Sequence, residues 1–283
     1  MKRTRFAPSP TGLLHLGHAY SALVAHSRAD AGEFLLRIED IDRARCRVEF
    51  ETAIYEDLEW LGLSWPTPVM RQSERTDAYN AAIDQLAFLG LLYPCRCTRG
   101  EIRAALSAPQ EGAAPPVHSP DGLVYPGTCR HRTMAEAEAS DAIRLDVRKA
   151  LDHLADRFPV FTETGPRHEG QHRIDAEEVM ASVGDVLLAR RDMGTSYHLA
   201  VTVDDAAQGI TEVVRGEDLF DATCIHVLLQ ALLGLPTPDY HHHPLIRDEH
   251  GKRLAKRDDA RAIRRYREEG ASPADIRKMV GLV

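Results

Sequence analysis

The chain has 283 residues, is 43% hydrophobic and 28% charged, and carries a formal net charge of −8 at pH 7. This is the composition of a soluble globular protein with a sizeable core in one large or two modest domains. It argues against a general nucleic-acid coat protein, and no apolar run approaches the roughly 20 residues of a membrane span. The start, Met-Lys-Arg-Thr-Arg-Phe, lacks the apolar region of a secretory leader, and five cysteines, an odd number, fit a reducing cytoplasm.

Thr4 to Ala7 reads as a short apolar strand. It turns through Pro8, Pro10 and Gly12 and reaches His15-Leu16-Gly17-His18 at the mouth of a helical pattern, Ala19, Leu23, Val24 and Ala25, that closes near Gly32. A strand that breaks into a helix N-terminus offers unpaired N–H groups and the positive end of the helix dipole to an anion. Two imidazoles beside a glycine add donors and let a flat ligand approach the backbone. Glu33 to Ile38 reads as a buried strand that runs into Glu39-Asp40-Ile41-Asp42. Strand, helix and strand in quick succession form a βαβ unit, so a parallel sheet is expected, with ligands beyond the carboxyl ends of its strands. That rule sets Ser9, His15 and the acids of 39–42 along one rim.

Amphipathic helices are expected over 49–61 and 75–89, with Trp60 and Trp65 in a core. Tyr93-Pro94-Cys95-Arg96-Cys97 then precedes a short helical pattern through Leu106 and a Pro-, Ala- and Gly-rich loop over 108–122. Order resumes at Tyr125-Pro126-Gly127-Thr128-Cys129-Arg130-His131. Cys-x-Cys with a third cysteine downstream points to a structural zinc site that ties both ends of the insertion together. Tyr125, His131 and His118 compete for the fourth position. Zinc chemistry alone favours His131 through the Cys129-x-His131 spacing, because tyrosine is an unusual ligand. Cys46 and Cys224 have no such company and read as structural.

A strand is expected over 142–147, while 149–173 carries no clear period. Segments 183–188 and 197–205 read as further strands. Ile210 to Val214 is a β-branched run entering Arg215-Gly216-Glu217-Asp218, and 222–233 is a helix closed by Gly234 and Pro236. Segment 241–246 reads as a strand whose histidines are packed or exposed rather than metal-binding. Gly251-Lys252-Arg253-Leu254-Ala255-Lys256-Arg257 forms a basic loop. From Lys252 to Arg267 there are eight basic residues against two acidic ones, enough to meet phosphates locally although the chain is acidic.

Together these segments become specific. Pro8-Ser9-Pro10-Thr11-Gly12-x-x-His15-x-Gly17-His18 and the late Arg253-Leu254-Ala255-Lys256-Arg257 resemble the HIGH and KMSKS signatures of class I aminoacyl-tRNA synthetases. Arg5-Phe6-Ala7-Pro8-Ser9, Arg37-Ile38-Glu39-Asp40 and Val214-Arg215-Gly216-Glu217-Asp218 are similar to the glutamyl branch, and the resemblance runs from about Arg3 to Arg257. It implies an α/β fold: a Rossmann-type parallel sheet with an inserted zinc-containing α+β subdomain and a short helical C-terminus. The implied divisions are 1–92 and 193–249 for the two halves of the catalytic domain, 93–192 for the insertion, and 250–283 for the KMSKS-like loop and terminal helices.

The resemblance also implies roles. Arg5, Phe6, Ala7, Pro8, Ser9, Glu39, Tyr197 and Arg215 match glutamate-binding positions, Glu39 taking the ammonium. His15, Gly17, His18 and Lys256 match ATP-binding positions, with His15, His18 and Lys256 catalytic through the charge they stabilise on phosphate. Mg2+ is expected as the counter-ion of ATP. Ala255 stands where the loop signature usually has serine, a lost hydroxyl worth about 0.5–1.5 kcal/mol if its bond is used.

Only 26 residues follow Arg257, too few for the helical anticodon-reading domain of full-length glutamyl-tRNA synthetases. With Cys-x-Cys and Tyr-x-x-x-Cys, this resembles the glutamyl-Q tRNA(Asp) synthetase family. Its members activate L-glutamate without tRNA and attach it to queuosine in the anticodon loop of tRNA(Asp). The resemblance therefore implies one structural Zn2+ on Cys95, Cys97, Tyr125 and Cys129, tRNA(Asp) carrying queuosine as partner, no membrane, and a cytoplasmic monomer. The alternatives are charging the 3′ end of tRNA(Glu) and non-catalytic RNA binding. Loss of Arg5, His15, His18 or Lys256 would mark the latter, and all four are present.

Overall fold

The computed structural model describes residues 1–107, 118–119, 122–155, 157–190, 194–246 and 261–282. The chain begins with β1 (Arg3–Phe6), α1 (Leu16–Ala29), β2 (Glu33–Ile38), α2 (Val48–Trp60), β3 (Met70–Arg71) and α3 (Thr76–Phe88). The insertion contributes β4 (Leu92–Cys95), α4 (Arg99–Ser107), β5 (His118–Ser119), β6 (Gly122–Leu123) and β7 (Ala142–Leu145). It goes on through α5 (Val147–Leu154), β8 (Val160–Glu163), β9 (Gly170–Arg173), α6 (Ala176–Ser182) and β10 (Val186–Ala189). The remainder is α7 (Tyr197–Ala207), β11 (Glu212–Gly216), α8 (Thr223–Leu233), β12 (Asp239–His243), α9 (Ile263–Glu268) and α10 (Pro273–Met279).

The expected parallel layer is present. β1 pairs with β2 and β2 with β3, all parallel. β11 pairs parallel with β12, and β12 with β8, while β9 adds an antiparallel edge. The two groups meet at β1, where the Thr211 N–H donates to the Arg3 carbonyl at 2.9 Å. Helix α1 lies over this layer and buries Ala19, Ala22 and Leu23 against Phe6, Phe34, Leu36 and Ile38. The turn from α1 into β2 passes so close to the chain start that a Cβ on Gly32 would sit 1.8 Å from the Lys2 carbonyl oxygen. Only glycine fits there. The insertion instead holds an antiparallel sheet in the order β10-β7-β4.

One expectation fails. Residues 197–205 are not a strand but the bulk of α7. Ser196 is its N-cap, the side chain accepting from the Leu199 N–H at 3.3 Å. His198, Leu199, Ala200, Val201, Thr202, Asp204 and Asp205 are all buried, so the helix is enclosed on most of its circumference. A helix buried all round loses the polar stripe that reveals the 3.6 period, and Leu199, Val201 and Val203 then mimic alternation. The unreadable 149–173 resolves into the end of α5 and the β8–β9 hairpin. Trp60 and Trp65 pack half-buried against the core beneath α1, as expected, and Cys46 and Cys224 are free, half-buried thiols.

Candidate active site

The carboxyl ends of β1, β2 and β11 converge beside the N-terminus of α7, and the residues singled out for glutamate sit there. Arg5, at 5% exposure, donates from Nε and Nη2 to the two carboxylate oxygens of Asp205 at 3.0 and 3.2 Å, and from Nη1 to the Val214 carbonyl at 3.2 Å. These bonds use three of its five N–H groups, leaving two for a ligand. Asp205 also accepts from Arg37 Nη1 at 2.7 Å, and Arg37 Nη2 reaches Glu39 Oε1 at 3.4 Å. Burial pushes the Asp205 carboxyl up, but Arg5 and Arg37 outweigh it and hold it below the ordinary range. Glu39 goes the other way: burial raises it, against the pull of Arg37 and Arg5. Tyr197, raised by burial, lies within electrostatic reach of Arg215, Glu39, Arg5 and Asp205, so these residues form one cluster.

Arg215 is fixed by a relay of neutral histidines. Its Nε donates to His242 Nε2 at 3.0 Å and its Nη2 to Thr223 Oγ1 at 2.8 Å, while Nη1 lies 2.9 Å from His226 Nδ1. Because guanidinium can only donate, His242 must carry its proton on Nδ1, and that nitrogen lies 2.5 Å from Glu163 Oε2. By the same logic His226 is protonated on Nε2, which lies 2.9 Å from His198 Nδ1. Burial and the Arg215 charge keep His226 well below its ordinary pKa, and burial lowers His242 despite Glu163. The histidines of β12 are thus packed groups, as expected, and one of them orients the arginine.

The β1–α1 turn makes a capping box from two imidazoles. Gly17 N–H donates to His15 Nδ1 and His15 N–H to His18 Nδ1, both at 3.1 Å, with the ring centroids 3.8 Å apart. Both rings therefore keep Nε2 for their proton when neutral. A Cβ at Gly17 would lie 3.0 Å from His15 Cε1, so the ring sits where only glycine leaves room. Of the other residues expected at the glutamate site, Phe6 turns its ring into the core, Pro8 accepts the Glu39 N–H at 3.0 Å, and Ser9 accepts the Thr11 N–H at 2.8 Å through their carbonyls. Ala7 is half-buried between them. Lys256 and the rest of the KMSKS-like signature lie outside the described residues. The chain returns beside His15, where Ala262 bridges it and the Ile263 N–H donates to the Leu14 carbonyl at 2.8 Å.

In the insertion the three sulfurs of Cys95, Cys97 and Cys129 lie within 4.8 Å of one another, the one such cluster of His, Cys, Asp and Glu ligands among the described residues. The Tyr125 hydroxyl lies 3.4 Å from Cys95 Sγ and 3.3 Å from Cys97 Sγ. His131 is exposed and outside the cluster. Burial pushes the Cys97 thiol up to about 11. At Cys129 burial also pushes upward, but hydrogen bonds from Tyr125 and its neighbours bring it down to about 7. Arg144 stacks on the Tyr125 ring at 4.0 Å.

Residues 1–283 match the family model for the catalytic domain of class I tRNA synthetases (E and Q). A glutamyl-Q tRNA(Asp) synthetase from Rhodobacter capsulatus is 58% identical over 284 residues, 99% of each chain. The chain belongs to the glutamyl-Q tRNA(Asp) synthetase family. Another protein of that name, from Albidiferax ferrireducens, is 44% identical over 92% of this chain and 85% of its own. Among solved structures, a glutamate tRNA ligase from Elizabethkingia meningosepticum in complex with its amino acid gives a TM-score of 0.75 at 29% identity. The match covers 99% of this chain and 60% of that one. Methionyl-tRNA synthetase of Mycobacterium tuberculosis, at 11% identity and a TM-score of 0.57, shares the fold alone.

For this member of the glutamyl-Q tRNA(Asp) synthetase family, sequence reasoning found the groups that face a ligand and missed those that hold them. Asp205, Glu163, His226 and His242 were not singled out. The signal for Asp205 was present in the paired Asp204-Asp205 but was obscured by reading the helix as a strand.

Proposed function

We propose that the protein activates L-glutamate with ATP to glutamyl-adenylate without tRNA, and then transfers glutamate to queuosine in the anticodon loop of tRNA(Asp). The observation that carries the first step is the convergence of Arg5, Glu39, Tyr197 and Arg215 on one rim with the His15–His18 helix cap. The remaining N–H groups of Arg5 suit the side-chain carboxylate of glutamate, and Glu39 suits its ammonium. The α-carboxylate attacks the α-phosphate of ATP and pyrophosphate leaves. His15, His18, the N-terminus of α1 and Lys256 meet the charge that builds on the phosphate oxygens, with Mg2+ as the counter-ion of ATP. The acceptor hydroxyl then attacks the activated carbonyl and AMP leaves.

The acceptor reading rests on the names of the relatives that match almost the whole chain. We also read residues 93–192 as the zinc-containing insertion between the two catalytic halves. Two thiolates 2.3 Å from one tetrahedral zinc stand about 3.8 Å apart, and Cys97 Sγ and Cys129 Sγ are 3.6 Å apart. The donor set therefore fits one structural Zn2+ on Cys95, Cys97, Cys129 and Tyr125, cross-linking the end of β4 to the 125–129 turn. The free thiols support a cytoplasmic location, and among the described residues no helix is long and apolar enough to cross a membrane.

ATP–pyrophosphate exchange with glutamate and no tRNA tests the first step; no exchange at high enzyme concentration overturns it. Transfer of labelled glutamate to tRNA(Asp) with and without queuosine tests the second. Equal labelling of both would replace it with conventional 3′ charging.

A further inference from the structure

A second cavity, of about 370 Å³, lies against the glutamate pocket and is lined by Asp42, Arg43, Gln72, Thr76, Asn80 and Thr195 among others. The two share walls. Glu39 faces one side of the β2 exit and Asp42 the other, and Thr195 and Tyr197 stand two residues apart at the start of α7. Behind them the neighbouring acids divide the work. Asp205 holds Arg5 and Arg37, while Asp204 holds Gln72, Arg75 and Tyr79 at 3.0, 3.1 and 2.7 Å.

Gln72, at 1% exposure, is oriented by that contact. A carboxylate only accepts, so the amide nitrogen must face Asp204 and Oε1 must face away from it. Oε1 is buried without a hydrogen-bond partner. Such an acceptor costs about 1–3 kcal/mol until a donor reaches it. The charges around the cavity are balanced: Asp42 pairs with Arg45, and Arg43 donates to the Ser73 carbonyl at 2.9 Å. Nothing there recruits a phosphate. The space far exceeds the roughly 30 Å³ of one water.

We propose that this cavity receives the vicinal diol of the acceptor nucleoside, one hydroxyl donating to Gln72 Oε1 while the ring rests against Thr76, Asn80 and Thr195. The inference rests on the proposed transfer reaction. A hydroxyl both donates and accepts, which suits a balanced wall of amide and hydroxyl groups, and the shared wall brings it beside the glutamate carboxyl. Vicinal diols occur on the cyclopentene ring of queuosine and on the terminal ribose of tRNA, and the test separates them.

The variants are Thr76→Val with Asn80→Leu, both at exposed positions, and separately Gln72→Met. Each is assayed for ATP–pyrophosphate exchange with glutamate, and for transfer to tRNA(Asp) with queuosine or guanosine at the modified position and identical 3′ ends. Exchange is expected to change by less than about twofold, while the KM for the labelled tRNA rises about tenfold, the equivalent of one hydrogen bond. A rise seen with the queuosine tRNA assigns the cavity to the cyclopentenediol; a rise confined to 3′-end labelling assigns it to the terminal ribose. Unchanged transfer KM in the exposed double variant overturns the subsite, whatever Gln72→Met does to folding. A wild-type protein that exchanges but labels neither RNA overturns the transfer reading and the subsite with it.

Discussion

Asp205 grips Arg5 with both carboxylate oxygens and, through Oδ1, takes Arg37 at 2.7 Å as well. One buried acid thus neutralises two buried guanidiniums and sets the angle at which Arg5 meets the glutamate pocket. Asp205→Asn leaves both arginines undercompensated. A stability loss of about 3–5 kcal/mol is expected in denaturant unfolding, together with a higher KM for glutamate in the exchange assay. Full stability in the variant would show that the arginines find other partners.

Glu163 acts one step further back. Burial pushes its carboxyl up, but bonds from His242 and Gly165 prevail and bring it down from 4.5 to about 2. A carboxylate depressed in the folded state stabilises the protein above its unfolded pKa, and that contribution is lost as the pH falls from about 4.5 toward 2. The shift corresponds to about 3 kcal/mol. Glu163→Gln should flatten this acid limb of the stability–pH curve. The variant amide also presents an N–H to His242 Nδ1, which favours the wrong tautomer against Arg215, so the KM for glutamate should rise at neutral pH.

Gly17→Ala would set a methyl 3.0 Å from the His15 ring. The ring must swing out of the cap or the turn must open. Exchange is expected to slow about ten- to a hundredfold with little loss of global stability, since one cap is worth about 1 kcal/mol. Thermal melting beside single-turnover adenylate formation separates the two effects.

Metal analysis of the purified protein should give one zinc per chain. Tyr125→Phe should weaken zinc retention against a chelator, whereas His131→Ala, at an exposed position outside the sulfur cluster, should leave it unchanged. The reverse pattern would make His131 the fourth ligand.

Lys256→Ala should slow adenylate formation while changing glutamate affinity little, as fits a contact made mainly in the transition state. An unchanged rate would move that role to another basic residue between Lys252 and Arg257.

The ligand-facing half of the site was legible because its residues fall at strand ends and at a helix mouth, where the chain pattern itself marks a binding rim. Arg5, Glu39 and Arg215 follow directly on apolar runs, and Gly17 punctuates the only helix start with two histidines. The supporting half was not legible. Asp205 binds Arg5 across 200 positions and Glu163 binds His242 across 79, and nothing local specifies such pairings. Ser196 did offer a cap signal for α7, but the apolar alternation after it outweighed that single residue. Likewise the antiparallel β10-β7-β4 order is fixed by contacts between distant segments, not by any one strand's pattern.

The bridge between His15 and Ala262 has a further consequence. With Ile246 packed in the core and Ile263 fully buried beside Leu14, the span that carries Lys256 is held at both ends next to the imidazole cap. Its lysine is therefore supplied at a high local concentration, in the range of a short tether rather than of a free chain end. A single backbone cut between Arg257 and Arg261 would remove no side chain, yet it would dilute that lysine relative to the phosphates. The expected result is a slower first step in a protein whose glutamate pocket and fold are intact.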